Sequence, residues 1–330
     1  MARRKARMPQ GKKIQPAVKT MAFNLQIGID STVDLSQCAS LVNRRFYRQG
    51  INWAVAGFTF FTTGQGTISI NKIPDTWVAS NSWEKGFRAW QKMNDEALED
   101  TESIKPRFMD FKVYMDAVHH TTGIAANALP VDSAGNLATA GEWDMSSIHI
   151  PDTSTPGTTD EREIVWTGAN FPGVGASGLN AVSLIEGYAA SRGLPDIRDP
   201  NAPDDASSID GIAPQNWISA LDNEGITQDA DVVADLLVEN NIAPYPFEND
   251  GVHTDTQYPG GANQLPALQV HDALLVTATT VGGKTTSGGG NFQGGLIRIT
   301  NTIDAGSVQM LIHLVPGSHR GYMCQPMTDV

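Results

Sequence analysis

Apolar and polar positions alternate over much of this chain. Over residues 21–35 the apolar positions Phe23, Leu25, Ile27 and Ile29 recur every second residue, which predicts a first strand. Residues 36–48 fit a short helix with a basic end, Arg44, Arg45 and Arg48, where cations suit a helix C-terminus and Gly50 supplies the stop. Residues 51–63 are rich in aromatic and β-branched side chains, and residues 67–73 alternate through Ile68, Ile70 and Ile73. Gly64-Gln65-Gly66 between these two strands reads as a hairpin turn. The period then changes. Trp83, Phe87, Trp90 and Met93 recur at three- and four-residue steps, predicting a helix over 82–98 capped by Ser80, Asn81 or Ser82. Period two returns over 108–118 at Phe111, Val113 and Met115, and short strands fit 143–150 and 163–167. Residues 179–192, 217–221 and 231–240 look helical, separated by a Pro/Asp/Ser-rich loop over 195–213. Strands are predicted again at 268–280, 295–303 and 307–315, with a Gly-rich turn over 282–290.

The pattern gives nine or ten strands interrupted by two helical insertions, near 82–98 and 178–243. Helices do not alternate with strands one for one. That disfavours a doubly wound α/β fold and favours a mainly β, antiparallel sandwich with decorated loops.

Composition narrows the class. With 330 residues, 40% hydrophobic and 18% charged, residues 21–330 have the make-up of a folded body, not of a disordered chain. The longest apolar stretch, residues 51–61, is too short to span a bilayer, and residues 1–20 carry no apolar core of a secretory signal. Cys38 and Cys324 lie 286 positions apart, which predicts two incidental thiols in a reducing compartment.

Charge is the informative feature. The net charge of −13 is the sum of two unlike parts. Residues 1–20 hold seven cations, Arg3, Arg4, Lys5, Arg7, Lys12, Lys13 and Lys19, and no acid. The remaining 310 residues carry 16 basic and 36 acidic groups, a net of −20. Like-charge repulsion, Pro9 and Pro16 make the first twenty residues read as a flexible basic arm on an acidic body. Such an arm binds phosphates by counterion release without reading sequence, so all seven cations are candidate nucleic-acid contacts. Arg3-Arg4-Lys5 and Lys12-Lys13 also fit a nuclear-import signal.

Catalytic and metal signals are weak. Gly173, Gly175 and Gly178 form a dinucleotide-type GxGxxG pattern with Asp196 18 residues beyond. Pro172 precedes the first glycine directly, and no parallel strand–helix–strand context follows, so a loop before a helix is the better reading. The stretch Gly175-Ala176-Ser177-Gly178-Leu179 lacks the final glycine of a nucleophile elbow. The histidines, His119, His120, His149, His253, His271, His313 and His319, fall in no zinc-binding spacing. Asp196, Asp199, Asp204, Asp205 and Asp210 crowd one loop and form a weak calcium candidate, without the closing glutamate of an EF-hand. The Trp83/Phe87/Trp90 stripe reads as core more than as a base-stacking platform. No enzyme activity and no cofactor are expected.

A basic arm before a strand-rich, Gly/Pro/Thr-rich body resembles the jelly-roll capsid proteins of small icosahedral viruses. Two groups of segments resemble capsid proteins of small circular single-stranded DNA viruses. One is Ile73-Pro74-Asp75-Thr76-Trp77 with Trp83-Glu84-Lys85-Gly86-Phe87-Arg88-Ala89-Trp90 and Asp110-Phe111-Lys112-Val113-Tyr114. The other is Gly294-Gly295-Leu296-Ile297 with His313-Leu314-Val315-Pro316-Gly317-Ser318-His319-Arg320-Gly321-Tyr322. The resemblance implies an antiparallel jelly-roll β-sandwich with helical insertions, self-assembly into a homo-oligomeric shell, and an arm facing a single-stranded DNA genome. It implies a virion protein that also meets host import machinery or a surface receptor. Three alternatives stay open. They are a double jelly-roll major capsid protein of a tailless membrane-containing phage, a nucleotide-binding enzyme using the glycine loop, and a β-sandwich receptor-binding module.

Overall fold

The computed structural model describes residues 15–99, 110–151, 159–169, 172–192 and 268–329. In chain order the strands are β1 (Thr20–Leu25), β2 (Ser31–Asp34), β3 (Ile51–Thr62), β4 (Gly66–Lys72), β5 (Ser147–Pro151), β6 (Thr159–Val165), β7 (Ala181–Ser183), β8 (Gln269–Val276), β9 (Lys284–Phe292), β10 (Leu296–Asn301), β11 (Val308–Leu314), β12 (Pro316–Gly317), β13 (Gly321–Tyr322) and β14 (Cys324–Pro326). The helices are α1 (Leu35–Asn43), α2 (Trp77–Ala97), α3 (Ala117–Thr122) and α4 (Leu184–Arg192).

Two antiparallel sheets form a mainly β sandwich. In the first, β11 pairs with β1 on one edge and β3 on the other, and β9 pairs with β3 along its free edge. The short β14 extends this sheet beside Ile51–Trp53. In the second, the order is β2-β10-β4-β8. Phe23, Trp53, Phe58, Phe60, Ile68, Ile70, Phe292, Ile297, Ile299, Met310 and Ile312 close between the sheets and are all but inaccessible to solvent.

Strand β3 explains its own curvature. Its inward residues are Ile51, Trp53 and Val55, then Phe58 and Phe60. The parity changes because the register against β11 slips by one residue between Val55 and Gly57. An extra residue of this kind bends the strand and lets both halves face the same core.

In the second sheet, β2 and β10 are buried on both faces, whereas β8 leaves most of its side chains exposed or half-buried. Ile297 and Ile299 enter the sandwich core, whereas Leu296 belongs to a second cluster with Trp83, Phe111, Val113, Met115, Ile164, Trp166 and Ile185. That cluster belongs to a layer built from α2, residues 110–115, β6 and α4. Arg298 lies on the same face, 3% exposed, and bonds Thr32 Oγ1 at 3.0 Å and Asp116 Oδ1 at 2.6 Å. A buried guanidinium is tolerable only when paired in this way.

The connections divide by length. Four short ones, residues 26–30, 63–65, 277–283 and 302–307, meet at one end. There Asn301 Nδ2 donates to the Gln26 and Ile29 carbonyls, and the Asp304 amide donates to the Gln65 carbonyl at 2.9 Å. The long connections, with the four described helices, lie toward the other end, where the chain enters β1 and leaves β11; the exception at that end is the three-residue turn 293–295 between β9 and β10.

Several expectations need correction. Gly64-Gln65-Gly66 is not a hairpin turn, because β3 and β4 belong to different sheets and the turn crosses between them. Local alternation carries no information about which strand is the partner. Residues 282–290 are not one turn. Gly282 and Gly283 turn with positive φ, but Lys284–Phe292 is strand β9. A Cβ at Gly289 would lie 2.1 Å from the Val55 carbonyl oxygen, so its glycine serves close approach to the β3 irregularity. Helix α2 begins at Trp77, with Thr76 Oγ1 accepting from the Ala79 amide at 3.3 Å, ahead of the expected serine caps. Phe111, Val113 and Met115 are buried as their period predicts, but they pass through extended chain with a single bridge, Tyr114 to Val165. Residues 195–213, 217–221 and 231–240 lie outside the described residues.

Candidate nucleic-acid interface

The first described residues are tied to the body by a buried tyrosine. Tyr322 OH donates to the Val18 carbonyl at 2.6 Å and accepts from Asn43 Nδ2 at 2.7 Å. Asn43 Oδ1 in turn accepts from the Val18 amide at 2.9 Å. Burial pushes the Tyr322 phenol up to about 12, so it stays a donor throughout the physiological range. Tyr47 and Trp53 pack against the same ring, with centroids at 5.5 and 5.2 Å.

Lys19 sits inside this anchor. Its ammonium donates to the Gly321 carbonyl and lies 4.5 Å from the Tyr322 ring centroid. Burial lowers its pKa, and the nearby Cys324 opposes that shift. The expectation that Lys19 belongs to a free arm therefore changes: its side chain is engaged by the body. Arg3, Arg4, Lys5, Arg7, Lys12 and Lys13 lie outside the described residues, as do Asp196, Asp199, Asp204, Asp205 and Asp210.

Around the anchor the body presents further cations. Helix α1 ends on Arg44, and Arg44, Arg45 and Arg48 are all exposed. Arg320, from the β12–β13 turn, is exposed too, and its guanidinium donates to the Phe46 carbonyl while Tyr47 OH donates to its own carbonyl at 3.0 Å. Arg44 (φ 51°) and Arg320 (φ 49°) are the non-glycine residues with positive φ among the described residues. Such backbone costs on the order of 1 kcal/mol each and persists only where surrounding bonds enforce it. Both are arginines and both flank the entry of the chain. Sequence reading noted Arg44, Arg45 and Arg48 only as a helix end, and Arg320 only within a resemblance. Nothing in their spacing says that residues 44–48 and 320 converge.

A cleft of about 580 Å³ opens beside this cluster. Phe46, Phe87, Phe111 and Trp83 supply its aromatic wall, and Arg48, Arg320 and His319 its polar side. Burial, then the adjacent Arg320, lower the His319 pKa, leaving it uncharged at neutral pH. Asp110, in the same cleft, is pushed up to about 7 by burial, against the pull of Lys112 and Arg48. The Trp83 indole N–H is buried without a hydrogen-bond partner among the described residues. At neutral pH the cleft thus joins aromatic surface to two guanidiniums and one partly protonated carboxyl. That combination suits an anion with a flat apolar part.

The second polar cluster is buried at His120, Glu163 and Tyr114 and opens to solvent at Ser177. His120 Nε2 and Ser177 Oγ each bond Glu163 Oε2 at 2.8 Å, and Tyr114 OH donates to Glu163 Oε1 at 3.1 Å. Ser177 Oγ donates to the carboxylate and not to a histidine nitrogen, so the serine–histidine pair of a nucleophile elbow is not assembled here. Gly173, Gly175 and Gly178 form a tight loop, with the Gly175 amide bonded to the Leu179 carbonyl at 2.9 Å. Strand β7 comes next, so no helix N-terminus meets these glycines as pyrophosphate binding requires. Among the described residues no group of three His, Cys, Asp or Glu could hold a metal, and no helix is long and apolar enough to cross a membrane. No family model, curated protein or solved structure matches the chain.

Proposed function

We propose that this chain is a virus capsid subunit, a jelly roll that self-assembles into an icosahedral shell and meets the packaged genome through its basic N-terminal segment. The strand order carries the reading. Taking β1, β2, β3, β4, β8, β9, β10 and β11 as first to eighth, the sheets run 1-8-3-6 and 2-7-4-5. This order matches the wrapping of eight strands in two Greek keys expected of a jelly roll, and so supports that reading. Jelly rolls also serve as lectin and cupin scaffolds. The basic segment separates these uses, because neither needs seven cations within twenty residues ahead of an acidic body. The arginines beside the chain entry extend the same positive surface onto the body. Of the other six described strands, β5, β6 and β7 form a three-stranded sheet with one parallel pair, β12 pairs with β13, and β14 extends the first sheet; among the described residues this favours one jelly roll over two. Single-stranded DNA is the genome that the sequence resemblance implies.

The test is expression of the full chain and of a chain lacking residues 1–14, which removes six cations and leaves Lys19 in place. Both are expected to form particles, with the truncated form holding less nucleic acid. Particles with equal nucleic-acid content would overturn the role of the basic segment. Failure of both chains to assemble would overturn the capsid reading.

A further inference from the structure

The 580 Å³ cleft beside the chain entry joins aromatic side chains of the second core cluster to exposed arginines. Its back wall is rigid: Trp83 and Phe87 stack at 5.1 Å and 18°, and Phe111 meets them at 5.7 and 5.9 Å. Trp83 and Phe111 are buried, whereas Phe87 and Phe46 are only half-buried and present ring surface. At the rim, Arg48 is exposed and Arg320 is fixed beside Phe46 by its left-handed backbone and its bond to the Phe46 carbonyl. The volume lies in the range of small-ligand pockets, about 300–1,000 Å³.

We propose that this cleft holds one unpaired nucleotide of a single strand, with the base against Phe46 and Phe87 and a phosphate on Arg48 and Arg320. The inference rests on the reading that this face meets nucleic acid, and deepens it by naming an unpaired base as the ligand. Stacking on an aromatic wall is worth about 1–3 kcal/mol per base and is indifferent to sequence. Guanidiniums add charge-assisted bonds to phosphate. A paired base cannot enter, because its ring is stacked within a duplex. The cleft therefore discriminates single strands from duplexes, which clustered cations cannot do by counterion release alone.

The test uses the full chain and an eight-nucleotide oligothymidylate with a central 5-iododeoxyuridine, photo-crosslinked and mapped by peptide mass spectrometry. Crosslinks are expected on peptides containing Phe46 or Phe87, and not when the oligonucleotide is annealed to its complement. Arg48→Glu is expected to lower these crosslinks about tenfold, the loss of one charge-assisted contact. Phe87→Leu, which keeps apolar volume, is expected to lower them at least about fivefold. Both variants should melt near the wild-type temperature and keep their crosslinks within residues 1–14. Wild-type crosslinks confined to residues 1–14 would overturn the cleft while leaving the capsid reading intact. Equal capture of duplex and single strand at the cleft would also overturn it. No crosslink anywhere would overturn both.

Discussion

Tyr322→Phe removes one oxygen from the point where the chain enters the body. The ring stays, so packing against Tyr47 and Trp53 is unchanged. Two bonds go: the donation to the Val18 carbonyl at 2.6 Å and the acceptance from Asn43 Nδ2 at 2.7 Å. Asn43 Nδ2 keeps its other bond, to the Ala39 carbonyl at 2.8 Å, so only the Val18 carbonyl loses its side-chain partner outright. Val18 is 40% exposed and this bond is only part-buried, so water can take the phenol's place and the cost is that of one intramolecular hydrogen bond, about 0.5–1.5 kcal/mol. At roughly 2–4 °C per kcal/mol for a large domain, the melting temperature should fall by about 1–6 °C. Most of the cost falls locally, so the entry segment should open before the sandwich does. Tryptic cleavage after Lys19 reports that opening, because the Lys19 ammonium is otherwise bonded to the Gly321 carbonyl and its neighbour Thr20 is paired in β1. Wild type should resist cleavage there and the variant should be cut. Rapid cleavage after Lys19 in the wild type, or no change in either measurement in the variant, would refute the anchor.

Two further substitutions test other parts of the account. A carboxyl whose folded-state pKa exceeds its unfolded value binds its proton more tightly when native, so Asp110, near 7 against a usual 3.8, costs stability as pH rises from about 4 to 7. Asp110→Asn should therefore raise stability at pH 8 by a few kcal/mol at most and leave it nearly unchanged at pH 4, by denaturant titration at both. An equal difference at the two pH values would sink this. Gly289→Ala places a methyl group 2.1 Å from the Val55 carbonyl oxygen and should destabilise by at least about 1–3 kcal/mol, whereas a turn glycine in open space, as residues 282–290 read in sequence, would tolerate it in a melt.

What the sequence made legible follows from range. Period two located β3, β4, β10 and β11 to within a residue or two, because each buries alternate side chains in one core. It could not say that β3 and β4 part into different sheets, since that depends on β11 and β9, more than 200 residues away. Gly288, Gly289 and Gly290 read as a turn because glycine ordinarily serves loops; only the close passage of β3 gives them a place in a strand. Helix α2 was found from its aromatic stripe, but its true cap, Thr76, lies before the first stripe residue. The charge split pointed to the basic segment from composition alone. The arginines that continue it onto the body come from two places in the chain, the end of α1 and the β12–β13 turn. Their convergence is a property of the fold, and so is the cleft between them. Sequence reading took Trp83 and Phe87 for core, and the structure bears this out for Trp83, while Phe87 also presents ring surface to the cleft.

Assembly is the property on which the capsid reading stands. Electron microscopy of the purified full-length chain measures it directly. The account predicts closed, uniform shells built from many copies with icosahedral symmetry. A population of monomers or small oligomers, at concentrations and salt where single-stranded DNA is bound, would contradict it.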